Sequence, residues 1–163
     1  MSSQKKIVDV ATLKRNMARH RREGKQVAFT NGCFDILHRG HISYLEAAKG
    51  KKNRILVVGL NSDASIHSIK GPKRPIIGQK ERAAVLAALE CVDYVVMFSE
   101  DTPYRLIKVV NPDVLIKGAD WKGKEVAGSD VVKANGGRVE LIKYLTQYST
   151  TKIIETIRKK CAA

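Results

Sequence analysis

His38, Arg39, Gly40 and His41 are the residues of this chain best suited to chemistry. Two imidazoles three positions apart share a face when a helix carries them. The glycine between them removes a side chain and lets a ligand approach the backbone. Free N–H groups at a helix N-terminus attract phosphate. Two imidazoles placed there can donate hydrogen bonds to a phosphoryl group whose charge grows in a transition state. The same residues admit other readings. The histidines could cap a helix or fill a core, and Asp35, His38 and His41, spaced by threes, could ligate a metal. No pair of histidines four apart with a glutamate is present, so no metal site is expected.

Such residues need a scaffold, and the rest of the chain supplies one. Short β-branched runs alternate with longer helical patterns. Strands are predicted over 27–30, 54–60, 92–98, 114–117 and 138–142. Helices are predicted over 40–49, 62–68, 80–90, 102–110, 124–134 and 150–159. Ile42, Leu45 and Ala48 form one inward face, and Ile153, Ile154 and Ile157 another. Residues 69–78 hold two prolines and two glycines and read as a loop. A basic helix within residues 1–25 packs on the core through Val10, Leu13 and Met17, at spacings of three and four.

Strand–helix alternation of this kind implies right-handed crossovers and an α/β, Rossmann-like, doubly wound parallel sheet of five strands, here as a single domain over 1–163. Ligands in such sheets bind beyond the carboxyl ends of the strands, at the switch point. The polar and glycine-bearing clusters fall there: Asn31-Gly32-Cys33-Phe34-Asp35, Asn61-Ser62-Asp63, Lys117-Gly118-Ala119-Asp120-Trp121 and Ser149-Thr150-Thr151.

Composition narrows the class. A chain of 163 residues buries roughly two thirds of its unfolded surface, enough for one core without staples. Its apolar runs fall far short of the ~20 residues of a membrane helix, and its basic N-terminus lacks a signal core. Neither secretion nor a membrane is expected. Cys33, Cys91 and Cys161 are odd in number and lack metal spacing, which fits a reducing cytoplasm. Cys91 ends an apolar helical pattern and reads as a small buried hydrophobe. Thirty Lys and Arg against 16 Asp and Glu give a net charge of +14. Charge of that size marks nucleic-acid binding, a site for polyanionic phosphates, or solubility. The densest basic stretch (Lys14, Arg15, Arg19, His20, Arg21, Arg22, Lys25) wraps around a helix, and aromatics are only 6%. Nucleic acid is therefore not the expected partner.

The stretch Asn31-Gly32-Cys33-Phe34-Asp35-Ile36-Leu37-His38-Arg39-Gly40-His41 resembles the signature of the HxGH nucleotidyltransferases, relatives of the cytidylyltransferases. Val58-Gly59-Leu60-Asn61-Ser62-Asp63, Lys73-Arg74-Pro75-Ile76, Glu100-Asp101-Thr102-Pro103, Lys117-Gly118-Ala119-Asp120-Trp121 and Ser149-Thr150-Thr151 resemble the adenylyltransferases of ADP-heptose synthesis. The resemblance runs from about residue 9 to about residue 158. It implies an enzyme joining ATP and D-glycero-β-D-manno-heptose 1-phosphate to give ADP-heptose and pyrophosphate. It further implies Mg²⁺ accompanying ATP, a separate heptose kinase and a homodimer. The alternatives are a transferase of the same class making CDP-glycerol, an FAD-type product or another ADP-sugar, and a basic nucleotide- or RNA-binding module.

The resemblance also implies roles. Backbone N–H groups around Cys33 and Phe34, beside Asn31, Gly32 and Gly40, would hold the α-phosphate, with His38 and His41 stabilising it and the leaving group. Lys70 and Arg82 stand where related enzymes place phosphate-binding cations. Lys73 and Arg74 sit in a loop able to close over substrate, with Asp35 and Asn61 on the same side, and Asp63 would orient a histidine or that loop. Gly118, Asp120 and Trp121 would take the base and ribose. Ser149, Thr150 and Thr151 would touch nucleotide phosphates, or serve as an ordinary helix cap. Two departures stand out. Leu145-Thr146-Gln147-Tyr148 lacks the arginine of glycerol-3-phosphate cytidylyltransferases, and Ala119 replaces a glycine common in the heptose enzymes.

Overall fold

The computed structural model describes residues 2–50, 52–143, 145 and 147–161. A 3-10 turn (Ser3–Lys6) precedes α1 (Val10–Arg22), β1 (Gln26–Gly32), α2 (Arg39–Lys49), β2 (Arg54–Asn61), α3 (Asp63–Lys70) and α4 (Gln79–Ala88). There follow β3 (Tyr94–Phe98), α5 (Tyr104–Val110), β4 (Val114–Gly118), a second 3-10 turn (Ala119–Trp121), α6 (Ser129–Ala134), β5 (Arg138–Ile142) and α7 (Thr150–Cys161).

The five strands are parallel, in the order β3-β2-β1-β4-β5. This is the expected Rossmann-like, doubly wound α/β sheet. Alternate strand residues feed opposite faces, and helices cover both. Leu45 and Ala48 of α2 and Ala83, Leu86 and Ala87 of α4 share one core with Ala28, Leu56, Val58 and Ile116. Leu13 and Met17 of α1 and Leu106, Ile107 and Val110 of α5 share the other with Val27, Phe29, Val57 and Leu115. Each fully buried Leu or Phe contributes roughly 1.5–3 kcal/mol. Burial on two faces explains why β2 reads as an unbroken apolar run.

The order in which strands are added to the sheet switches sides between β1 and β4, and pairing there is brief. β1 and β2 stay in register from Gln26↔Arg54 to Gly32↔Leu60. β4 and β5 stay paired to Gly118↔Ile142. β1 and β4 pair only at Ala28↔Val114 and Phe29↔Leu115. Beyond those residues the two strands part, which opens a crevice at their carboxyl ends.

Several boundaries differ from the sequence reading. The helix expected over 124–134 starts only at Ser129. Gly128 before it has φ +82°, and a Cβ there would meet Ile107 Cδ1 at 2.7 Å, so the chain turns there instead of coiling. Ile69 and Lys70, assigned to the loop, complete α3, while Ser62 caps it by accepting the Ser65 N–H. Pro103 caps α5 from outside. Leu13 and Met17 are fully buried but Val10 is 41% exposed, because it starts α1 at the rim. Ile157 of α7 is 52% exposed and does not face inward. An unexpected bridge, Ile7↔Val95, lays the N-terminal segment along the β3 edge. Cys91 is half-buried and packs against the first core. Among the described residues, no helix is long and apolar enough to cross a membrane.

Candidate active site

β1 ends at Gly32, and six residues carry the chain to α2. Phe34 in that link takes a left-handed backbone (φ +43°), rare for a residue with a side chain. The turn buries the Phe34 ring and brings its centroid 5.3 Å from that of His41. His38 occupies the position before α2 but makes no side-chain cap bond; its backbone carbonyl accepts the His41 N–H at 2.9 Å. Its ring instead stacks on His41, centroids 3.9 Å apart and planes at 19°. A Cβ at Gly40 would come within 3.0 Å of the His38 ring. The glycine is thus what lets the ring fold back over the helix start.

Both imidazoles have a buried Nδ1 without a hydrogen-bond partner among the described residues. Burial lowers the pKa of each, and the neighbouring charges of His38 and Lys70 add to the effect at His41, which falls to about 4. At neutral pH His41 is therefore uncharged in the free protein. A neutral imidazole donates one hydrogen bond and accepts another. Lys70, the exposed last residue of α3, stands close enough to act electrostatically on His41 and on Cys33.

The carboxylates of Asp35 and Asp63 are committed elsewhere. Asp35 accepts Arg74 Nε–H at 2.6 Å and the backbone N–H groups of Ile76 and Ile77 at 2.9 Å. Burial would raise its pKa, but these donors outweigh it and the carboxyl sits below its usual range. Asp63 accepts Arg82 Nη2 at 2.7 Å and the Gln79 N–H at 3.1 Å. It orients Arg82 and the end of the loop rather than a histidine. Arg82 is 1% exposed and also donates to the carbonyls of Ile77, Cys33 and Asn61. Four of its five N–H donors are thereby used. Arg82 ties β1, β2, α4 and the loop together. Among the described residues, no three His, Cys, Asp or Glu side chains converge to hold a metal.

Across the crevice, Asn31 Oδ1 accepts Lys117 Nζ at 2.6 Å. Gly118 ends β4, and Asp120 and Trp121 occupy the following 3-10 turn, with Lys117 Nζ 5.0 Å from the centre of the Trp121 ring. Asn61 Nδ2 is turned away, donating to Ser65 Oγ at 2.9 Å. At the start of α7, Ser149 Oγ accepts the Lys152 N–H at 3.1 Å, an ordinary cap. Thr150 Oγ1 donates to the Ile36 carbonyl at 3.3 Å and so fastens α7 to the link before His38. Lys73, Arg74 and Thr151 line a cleft of about 200 Å³ between the loop and α7. A larger cleft of about 410 Å³, between α1, α5 and the end of β3, carries none of the nominated residues. Thr146, in the segment that departs from the glycerol-phosphate enzymes, lies outside the described residues.

The histidine turn, Lys70, the loop, the β4 end and the start of α7 thus gather at the carboxyl ends of the strands. The sequence reading quotes Lys117 as part of its motif but gives it no role. The available signal was a lysine closing an otherwise apolar strand, Val114-Leu115-Ile116, directly before a glycine.

A doubly wound sheet whose switch point offers donors and cations, with Asp35 and Asp63 already engaged, is the framework of a nucleotidyltransferase. Residues 29–156 match the profile of the cytidylyltransferase-like family, and the chain belongs to that family. It is 53% identical over 155 residues to the bifunctional protein HldE of Citrifermentans bemidjiense, covering 95% of this chain and 32% of that one. It is 57% identical over 137 residues to the bifunctional protein HldE of Syntrophotalea carbinolica, covering 84% and 28%. The chain thus spans about a third of the length of these curated relatives. The crystal structure of the lipopolysaccharide core biosynthesis protein from Thermoplasma volcanium GSS1 superposes with a TM-score of 0.58 at 29% identity, over 73% of this chain and 95% of that one. A pantoate-beta-alanine ligase from Francisella tularensis, 15% identical with a TM-score of 0.54 over 92% of this chain and 76% of that one, shares the fold alone.

Proposed function

We propose that this chain transfers the adenylyl group of ATP to D-glycero-β-D-manno-heptose 1-phosphate. An oxygen of the sugar phosphate forms a bond to the α-phosphorus, the bond from that phosphorus to the α–β bridging oxygen breaks, and pyrophosphate leaves with the electron pair. The nucleophile is already ionised at neutral pH, so no general base is needed. Catalysis is then positioning and charge stabilisation. The single observation that carries this reading is the stacked His38–His41 pair, whose buried Nδ1 atoms lack partners among the described residues. Buried polar atoms are rarely left unpaired unless a ligand or water satisfies them.

In this reading the two rings and the N–H groups near Cys33 and Phe34 meet the α-phosphate, and Lys70 meets the departing pyrophosphate. Arg82 and Asp35 position the loop rather than touch substrate. Asp120 and Trp121 face the nucleoside. Mg²⁺ arrives on the triphosphate, since Asp35 and Asp63 are already bonded to arginines. The sugar phosphate would come from a kinase acting on the anomeric hydroxyl. The likeness to proteins named HldE and to a lipopolysaccharide core biosynthesis protein supports the sugar assignment.

Pyrophosphate release, measured with each nucleoside triphosphate against a panel of phosphorylated sugars and alcohols, tests the reading. Turnover is expected with ATP and the heptose 1-phosphate. Turnover with CTP and glycerol 3-phosphate instead, or with no pair at all, would overturn it.

A further inference from the structure

The crevice between β1 and β4 holds a second charged group that the adenylyl-transfer reading leaves without a task. Lys117 is 6% exposed, yet its ammonium has one hydrogen-bond acceptor among the described residues, the neutral Asn31 Oδ1. An ammonium carries three donors. Among the described residues no carboxylate bonds to it; Asp120 acts on it only through its charge. A buried cation is expensive unless an anion pairs with it. Burial accordingly lowers the Lys117 pKa to about 8.

The position of this cation is as informative as its isolation. Pairing of β1 with β4 stops at Phe29↔Leu115, while β4 remains paired with β5 to its last residue. The Asn31–Lys117 contact therefore spans strands that have already parted, at the point where ligands of doubly wound sheets bind. The Trp121 ring lies on one side of Nζ, and Asn31 leads within three residues into the Phe34 turn that seats His41.

We propose that Lys117 is a phosphate-binding residue of the nucleotide site, pairing its ammonium with the α-phosphate of the nucleotide. Asn31 is then the positioning residue that aims the ammonium across the crevice. The proposal rests on the adenylyl-transfer reading and adds a contact on the β4 side to those on the histidine side.

Dissociation constants for ATP and for adenosine, measured by competition with a fluorescent ATP analogue, separate the possibilities. Lys117→Met is expected to weaken ATP binding by roughly ten- to hundredfold, while adenosine, which has no phosphate, binds within twofold of the native protein. Lys117→Arg should recover part of the ATP affinity. If Lys117→Met does not fold, as judged by thermal melting, Lys117→Gln, which can still donate to Asn31, makes the same comparison. Equal weakening of ATP and adenosine would mean that Lys117 reads the nucleoside or only shapes the crevice, and would overturn the proposal. So would an unchanged ATP affinity. Failure of the native protein to bind ATP would instead refute the adenylyl reading, and this one with it.

Discussion

The Asp35 carboxylate accepts the Nε–H of Arg74 at 2.6 Å and, beside it, the N–H groups of Ile76 and Ile77. One buried side chain at the end of β1 thereby fastens the loop over 71–78. Replacing it with alanine leaves two backbone donors unmet and the arginine unpaired. Asp35→Ala is expected to cost roughly 2–4 kcal/mol, a fall in Tm of about 5–15 °C, with faster proteolysis inside the loop. Because the Asp35 pKa is lower folded than unfolded, this stabilisation is complete above pH ~4 and fades as pH drops through the folded value. An unchanged Tm and unchanged loop cleavage would show that the latch does not hold the loop.

Arg82 allows a sharper distinction between holding a site together and binding phosphate. Its guanidinium reaches Ile77, Cys33, Asn61 and Asp63 from full burial. A lysine keeps the charge but cannot reproduce that fork. Arg82→Lys is therefore expected to lower stability by about 3 kcal/mol, read by urea denaturation, and to lose activity in parallel. If stability stays native and only the KM for nucleotide rises, Arg82 binds phosphate directly and its bonds here are incidental.

Gly40 should show the opposite division. In a helix, alanine is favoured over glycine by up to ~1 kcal/mol, but a Cβ at this position meets the His38 ring at 3.0 Å. Gly40→Ala is expected to leave Tm within about 3 °C while lowering kcat at least tenfold, because the displaced ring breaks the stack. His41→Ala should reduce kcat by roughly 10²–10³ with the fold intact by circular dichroism. A native kcat in both variants would remove the histidine pair from the reaction.

These cases show which features the sequence makes legible and why others stay hidden. The five strands, their parallel sheet and the histidine turn follow from local patterns: β-branched runs, and a glycine between two histidines at a helix start. The commitments of Asp35, Asp63 and Arg82 do not, because each includes a contact 19 to 49 residues away in the chain. A carboxylate that binds substrate and one that latches a loop are the same letter. Lys117 was hidden for the same reason, since its burial follows from the parting of β1 and β4. The short α6 was missed because Gly128 is set against Ile107 by tertiary packing, which overrides helical pattern.

The histidine pair also makes a prediction about stability and pH. Burial, with the charges of His38 and Lys70, holds the His41 pKa at about 4 in the folded protein, against ~6.5 for an exposed imidazole. Between those values the unfolded chain binds a proton at this position and the folded protein does not. Stability must then fall as pH is lowered from 6.5 toward 4, by up to ~1.4 kcal/mol per unit from this group. Stacking at 3.9 Å sharpens the effect, since a proton on one ring opposes a proton on the other. Urea denaturation at pH 7 and pH 5 measures it. Native protein should lose about 2 kcal/mol more between those points than His41→Asn, which has no proton to gain there. Equal losses in the two proteins would mean that His41 titrates normally, and that the pair is not the uncharged donor set which the proposed chemistry requires.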